Sequence, residues 1–268
     1  MIRIIAALIC LFATSAMAET MRLAVTTSFH NSGLSDVLLP AIEQDTGLEV
    51  QLLVVGTGQA LRLGQAGDVD AILVHSRSAE DAFVAAGFGP HRREIMYNDF
   101  VFVGPENDPA GLGQVTDALA AMQAIAGAKS SFVSRGDDSG THKKERALWR
   151  AAGLEPDTFG PWYKPVGSGM GASLNTASAL GAYIVSDRAS WLNFGNKAGM
   201  ALLFSGDSSL FNQYAYLPVS GARHPHVNVD AAQRLEAWLT SPAAARLINE
   251  YKIDDQNLFF FNAGPVPQ

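Results

Sequence analysis

The feature that most limits what this chain can fold into is an alternation of short apolar runs with segments of helical periodicity through its first half. Residues 22–26 (RLAVT) read as a strand. Leu34, Val37, Leu38, Ala41 and Ile42 then fall at i, i+3, i+4, i+7 and i+8, which is one face of a helix. Gly47 suits the end of that helix, and Pro40 should kink it. Residues 49–55 (EVQLLVV) form a second strand, residues 59–66 a second helix, and residues 69–74 (VDAILV) a third strand. Strand–helix–strand order at this spacing predicts an α/β fold, with a mostly parallel sheet and helices on both faces.

Residues 99–103 (DFVFV) are another strand, and Gly104-Pro105 is where the chain should cross into a second lobe. That lobe should hold a strand at 132–133, a long helix from about 140 to 152 and a strand at 182–185. Residues 201–204 and 214–219 form a return path, and helices near 229–239 and 242–251 should pack back on the first lobe.

The N-terminus stands apart from the fold. Arg3, an apolar run over residues 4–13 and the small-x-small triplet Ala16-Met17-Ala18 read as a secretory signal peptide, residues 1–18, cut after Ala18. It is too short to span a membrane. The one cysteine, Cys10, lies inside it, so the mature chain should have neither a disulfide nor a thiol. The expected location is the periplasm. The net charge is −7. Removal of Arg3 leaves 18 basic against 26 acidic residues, a net charge of about −8. That balance argues against a nucleic-acid partner. It also means that an anionic ligand must be held by local donors.

Three polar segments share one design, each following a strand and preceding a helix: Thr26-Thr27-Ser28, Gly56-Thr57-Gly58-Gln59, and the stretch from Ser134 to Glu145 (SRGDDSGTHKKE). In an open α/β sheet such loops gather at the carboxyl ends of the strands, where ligands bind. A helix start presents unpaired N–H groups and partial positive charge, and hydroxyls and glycines let the backbone close on an oxyanion. Each loop also reads as a simple cap or turn. The glycine loop lacks the Gly-Lys-Ser/Thr ending of a phosphate-binding P-loop. In the third segment Asp138, Ser139 or Thr141 can cap the helix, and Arg135 lies four residues before Ser139, placed to lean over the helix start. Its planar, permanently charged fork matches an oxyanion, although a pairing with Asp137 or Asp138 is the simpler use for it.

At these positions the chain resembles the substrate-binding component of tungstate ABC transporters. The matching pieces are residues 25–28 (VTTS), 55–61 (VGTGQAL), 70–76 (DAILVHS), 98–105 (NDFVFVGP), 134–145 and 170–175 (MGASLN), followed by 182–188. The resemblance implies a two-lobed type II periplasmic binding fold with one tetrahedral oxyanion in the interlobe cleft. Lobe I would comprise residues 19–102 and 213–268, and lobe II residues 103–212. It implies ligand contacts from Thr27, Ser28, Thr57, Arg135, Ser139, Gly140 and Thr141, tungstate or molybdate as the ligand, no cofactor, no metal held directly by side chains, a monomer, and a membrane permease as partner. One position departs from the family pattern, since Val25 stands where the family usually has a threonine. Were that hydroxyl a ligand contact, one hydrogen bond would be missing.

Tungstate at neutral pH is a dianion with no proton to donate, so its socket needs donors alone. Hydrogen phosphate carries a proton and needs an acceptor. Asp137 and Asp138 are therefore the deciding pair, and a tungstate socket requires both to turn away, capping the helix or holding Arg135. The same fold could take molybdate, sulfate or phosphate. A Ser/His hydrolase built on Ser139 and His142 is a distant alternative, without a Gly-x-Ser-x-Gly elbow around the serine. The six histidines form no cluster with metal-ligand spacing.

Overall fold

The computed structural model describes residues 19–264. The signal-peptide reading of residues 1–18 and the single cysteine within it lie outside that range. The first part of the chain runs β1 (Glu19–Thr26), α1 (Thr27–Asn31), α2 (Leu34–Thr46), β2 (Leu48–Val55), α3 (Thr57–Ala66), β3 (Ala71–Val74), α4 (Arg77–Ala85) and β4 (Arg93–Pro105). There follow α5 (Ala118–Ala128), β5 (Phe132–Ser134), α6 (Gly140–Ala151), β6 (Tyr163–Pro165), α7 (Met170–Leu180), β7 (Ile184–Asp187), α8 (Arg188–Asn193) and β8 (Met200–Phe204). The chain closes with β9 (Phe211–Pro218), α9 (Val229–Leu239), α10 (Pro242–Glu250), a short hairpin of β10 (Lys252–Ile253) and β11 (Gln256–Asn257), and β12 (Phe260–Phe261).

The alternation produces the expected elements, and in part the expected sheet. β1 pairs in parallel with both β2 and β3. β9 joins β3 antiparallel, β4 joins β9 antiparallel, and β12 joins β4 antiparallel. Within this sheet the parallel pairing is confined to the three strands linked by helical crossovers; β5 and β6 form a separate parallel pair. β4 leaves this region and β9 returns to it, so the two strands must run in opposite directions.

The thirteen-residue strand β4 is shared between two groups of strands. Arg93–Asp99 pairs with β9, and from Phe100 onward the same strand pairs with β7 and β8. The sequence placed this strand only at 99–103. Its first half was hidden because Arg93, Glu94 and Asn98 interrupt the apolar run, and Asn98 is nevertheless buried. Alternation along β4 and its neighbours divides the core. In β1 and β3, Leu23, Val25, Ala71 and Leu73 enter one cluster with α2, α9 and α10, while Ala24, Ile72 and Val74 face the other way, onto α3 and α4. In β4, Phe100 and Phe102 pack on α5 and α6, and Val101 and Val103 on α7. Four covered faces put both parts of the sheet between helices.

Helix ends follow local chemistry. Gly47 ends α2 in the left-handed region at φ 70°, where its N–H donates to the Glu43 carbonyl at 2.9 Å. α2 runs on through Pro40 to Thr46. Val25, the departure from the family pattern, is a fully buried core residue of β1. Its side chain lies in the core cluster with Leu23 and Leu73, so the hydroxyl series begins at Thr26.

Candidate functional site

The three polar loops sit where strands end and helices begin: β1 into α1, β2 into α3, and β5 into α6. All seven residues anticipated as ligand contacts lie in this one region. Arg135, Ser28, Thr57, Ser139, Gly140 and Thr141 are buried, and Thr27 is half-buried. Two bonds tie the segments together across the cleft. The Arg135 guanidinium donates to Thr27 Oγ1 at 3.1 Å, and the Gly140 N–H donates to Thr57 Oγ1 at 3.0 Å. A longer contact, 3.5 Å, links Arg135 to Thr141 Oγ1.

The loop before α6 is shaped for this. Gly136 and Asp138 both take positive φ, 60° and 57°, conformations open to glycine and tolerated by aspartate. The chain therefore doubles back between Arg135 and the helix start. Ser139 is the N-cap of α6 and accepts from the His142 N–H at 3.1 Å. Gly140 has no room for a larger residue: an added Cβ would lie 2.7 Å from His75 Cε1 and 3.0 Å from Thr57 Oγ1. The close approach of α6 to α3 depends on that hydrogen.

Arg135 is 2 % exposed. It does pair with Asp137, whose Oδ2 lies 2.5 Å from Nη2, and Asp137 Oδ1 accepts from the Ser139 N–H at 3.3 Å. Asp138 points to the exterior and pairs with Lys143 and, at 3.6 Å, with Arg62. Both carboxylates are thus engaged as a donor-only socket requires, one holding the arginine and one in solvent. The pairing with Asp137 coexists with bonds across the cleft, which a surface ion pair would not make.

Sequence reasoning missed four contributors. His75 follows β3 at a further strand-to-helix junction and bonds Ser28 Oγ through Nε2 at 3.1 Å. Burial and the neighbouring Arg135 push its pKa down to about 3, so the ring is neutral. The start of α7 also reaches the site: a Cβ on its N-cap, Gly169, would lie 3.6 Å from Thr27. Neither Gly56 at the start of α3 nor Gly169 offers a side-chain cap, so first-turn N–H groups remain available there. Asp187, fully buried, caps α8 through Oδ1 at 2.8 Å from the Ser190 N–H, while Oδ2 has no partner. Burial raises its pKa to about 6, against the pull of Arg135. The Tyr214 hydroxyl is also buried and unpartnered, and its ring lies tilted beside His75, with centroids 4.7 Å apart. Each of these follows or faces a strand end, and the repeated strand–polar–helix junction was the signal that could have found His75, Gly169 and Asp187.

The Ser139–His142 pair shows no nucleophilic activation. Ser139 Oγ is taken by a backbone N–H, and the His142 ring accepts from the Asp138 N–H at 3.3 Å. The imidazole therefore does not address the hydroxyl as a hydrolase base must. Among the described residues no group of three or more His, Cys, Asp or Glu side chains is arranged to hold a metal ion. His226, in the loop before α9, is occupied by the Gly67 carbonyl at 2.9 Å.

Comparison with known proteins identifies the family. A family described as the PBP superfamily domain matches residues 13–243. The tungstate-binding protein TupA of Peptoclostridium acidaminophilum is 46 % identical over 231 residues, covering 85 % of this chain and 80 % of the relative. Two solved structures superpose over most of the chain. The tungstate-binding protein TupA of Desulfovibrio alaskensis G20 has a TM-score of 0.79 at 42 % identity, covering 92 % of this chain and 100 % of that one. The tungstate ABC transporter structure from Geobacter sulfurreducens has a TM-score of 0.80 at 44 % identity, covering 87 % and 99 %. With a family match across most of its length and relatives at this level of identity, the chain belongs to the PBP superfamily and, within it, to the family of the TupA binding proteins.

Proposed function

We propose that this protein is a periplasmic solute-binding protein that captures a tetrahedral oxyanion, tungstate by preference, and presents it to the membrane permease of an ABC transporter. In this reading residues 19–102 with 213–268 form one lobe, residues 103–212 the other, and the monomer closes on its ligand. The observation that carries the reading is the donor set: a buried arginine, hydroxyls and the starts of α3, α6 and α7 converge from separate stretches of chain, with Asp137 paired to that arginine and Asp138 to Lys143.

Thr27, Ser28, Thr57, Arg135, Ser139, Gly140 and Thr141 supply the contacts. A neutral His75 that donates from Nε2 to Ser28 Oγ leaves the serine proton free to point at an oxyanion. Nanomolar affinity corresponds to about −12 kcal/mol. Charge-assisted hydrogen bonds contribute roughly 1.5–3 kcal/mol net each, so about seven suffice after the costs of closure and dehydration. The helix starts add partial positive charge where one arginine, shared with Asp137, leaves a dianion incompletely neutralised. The arrangement serves binding, and no catalytic role is assigned.

Competition calorimetry of the purified protein with tungstate, molybdate, sulfate and phosphate tests the reading. Tungstate should bind most tightly, with molybdate, its near match in size and charge, following. A preference for phosphate would overturn the donor-only socket.

A further inference from the structure

A cavity of about 480 Å³ opens beside the socket, far larger than one tetrahedral oxyanion. Gly140 and His75 are among its lining residues, so it borders the residues described above. Its outer walls carry Arg77 from α4 and Lys143 and Lys144 from α6. These three cations differ in how they are used. Arg77 is bound to Asp81 at 2.9 Å and to Glu94 at 3.2 Å, and Lys143 to Asp138. Lys144, half-buried, makes no hydrogen bond or ion pair among the described residues. Its Nζ lies 5.9 Å from the centre of the Phe100 ring, another wall of the cavity. The carboxylate on the wall, Asp81, is already matched to Arg77.

A partly buried ammonium without a partner is costly, because it loses hydration and gains no counter-ion. Burial lowers the pKa of Lys144 from the ordinary lysine value, with Asp207 pulling the other way. Such an arrangement becomes useful if an anion arrives. The rest of the molecule needs the help: with a net charge of −7 it repels a dianion at long range, while one half-buried cation on the wall of a recess acts within about 8 Å at physiological salt.

We infer that this cavity is an outer station for a small inorganic dianion, and that Lys144 is the charge that draws the ion from solvent and hands it inward past Gly140 to the socket. The assignment rests on the oxyanion reading of the site, and it concerns how the ion arrives rather than what holds it.

Stopped-flow fluorescence with tungstate, repeated with molybdate, separates arrival from retention. In Lys144→Met the association rate should fall about tenfold at low ionic strength, and the gap should narrow as salt is added. The dissociation rate should stay within about twofold of wild type, since most affinity differences within one site otherwise fall on dissociation. Lys144→Arg, which keeps the charge, should retain the association rate and shows that any loss in the methionine variant is not misfolding. An unchanged association rate in Lys144→Met, or a loss confined to dissociation, overturns the assignment and leaves the oxyanion reading intact. Absence of saturable binding in the wild-type protein overturns both.

Discussion

Arg135 and Thr27 are 108 positions apart in the chain, and their side chains meet at 3.1 Å across the cleft. The bond joins the loop before α6 to the first turn after β1, so the cation is held by residues on both sides of the opening. An oxyanion placed there meets a guanidinium already oriented and already buried.

Loss of that cation should be expensive. Arg135→Ala is expected to weaken tungstate binding by roughly 2–5 kcal/mol, because a buried dianion loses its full countercharge. Arg135→Lys should fall between, keeping charge but losing the planar fork that reaches Thr27 and Thr141 together. Calorimetry on both variants checks the order, and near wild-type affinity in the alanine variant would remove Arg135 from the site.

Gly140 sets how closely α6 approaches α3. In Gly140→Ala the new methyl would lie 2.7 Å from His75 Cε1 and 3.0 Å from Thr57 Oγ1, both on buried side chains that must shift to admit it. The variant should fold, since alanine favours helix over glycine. Its affinity should drop at least about tenfold, or ~1.4 kcal/mol. Thermal unfolding and titration together separate the two effects; unchanged affinity would show that ligand binding does not need this contact.

Asp187 should make binding depend on pH. Its carboxyl, raised to about 6 by burial, is ionised above that pH and feels the charge of Arg135. The other titratable neighbours are Tyr214 on β9 and Arg188, the next residue, itself paired with Asp99. A dianion docking on Arg135 favours the protonated carboxyl, so binding takes up a proton. Affinity should therefore fall as pH rises from about 6 to about 8, by at most tenfold per unit for one proton. Asp187→Asn keeps the Oδ1 cap of α8 and should flatten the profile. Titrations across that range decide it, and a flat wild-type profile would exclude the coupling.

Glu145 makes a matching statement about stability. It is buried on α6, accepting from Ser134 Oγ, from Trp149 Nε1 at 2.8 Å and from Tyr163 OH at 2.9 Å. Burial outweighs these bonds and raises its pKa to about 7 from 4.5. The folded state thus keeps a proton that the unfolded chain releases between about 4.5 and 7, and stability declines across that window by up to about 3 kcal/mol. Glu145→Gln, of the same shape and unable to ionise, should match wild type below the window and exceed it above. Melting curves at both ends measure the difference; equal melting temperatures at high pH would count against a protonated Glu145.

Much of this molecule was written locally. Apolar periodicity placed α2, α9 and the strands of the parallel trio, because burying one face is a requirement that adjacent residues must meet together. Gly47, Ser139 and the polar junctions announced helix ends for the same reason: a cap is chemistry between residues three or four apart. The seven candidate contacts were named in advance through the family resemblance of those junctions.

Tertiary structure alone decided which junctions share a site and how their charges are balanced. His75, Asp187 and Tyr214 have ordinary surroundings in the sequence, and become neutral, raised in pKa or orphaned only because folding strips away their water. The directions of Asp137 and Asp138 were likewise open, because either aspartate can cap a helix or bind an arginine. The path of the backbone through two left-handed residues turned one toward Arg135 and the other to solvent. Local sequence specifies which groups can donate, and burial and long-range packing determine which are left with nothing to bind except a ligand.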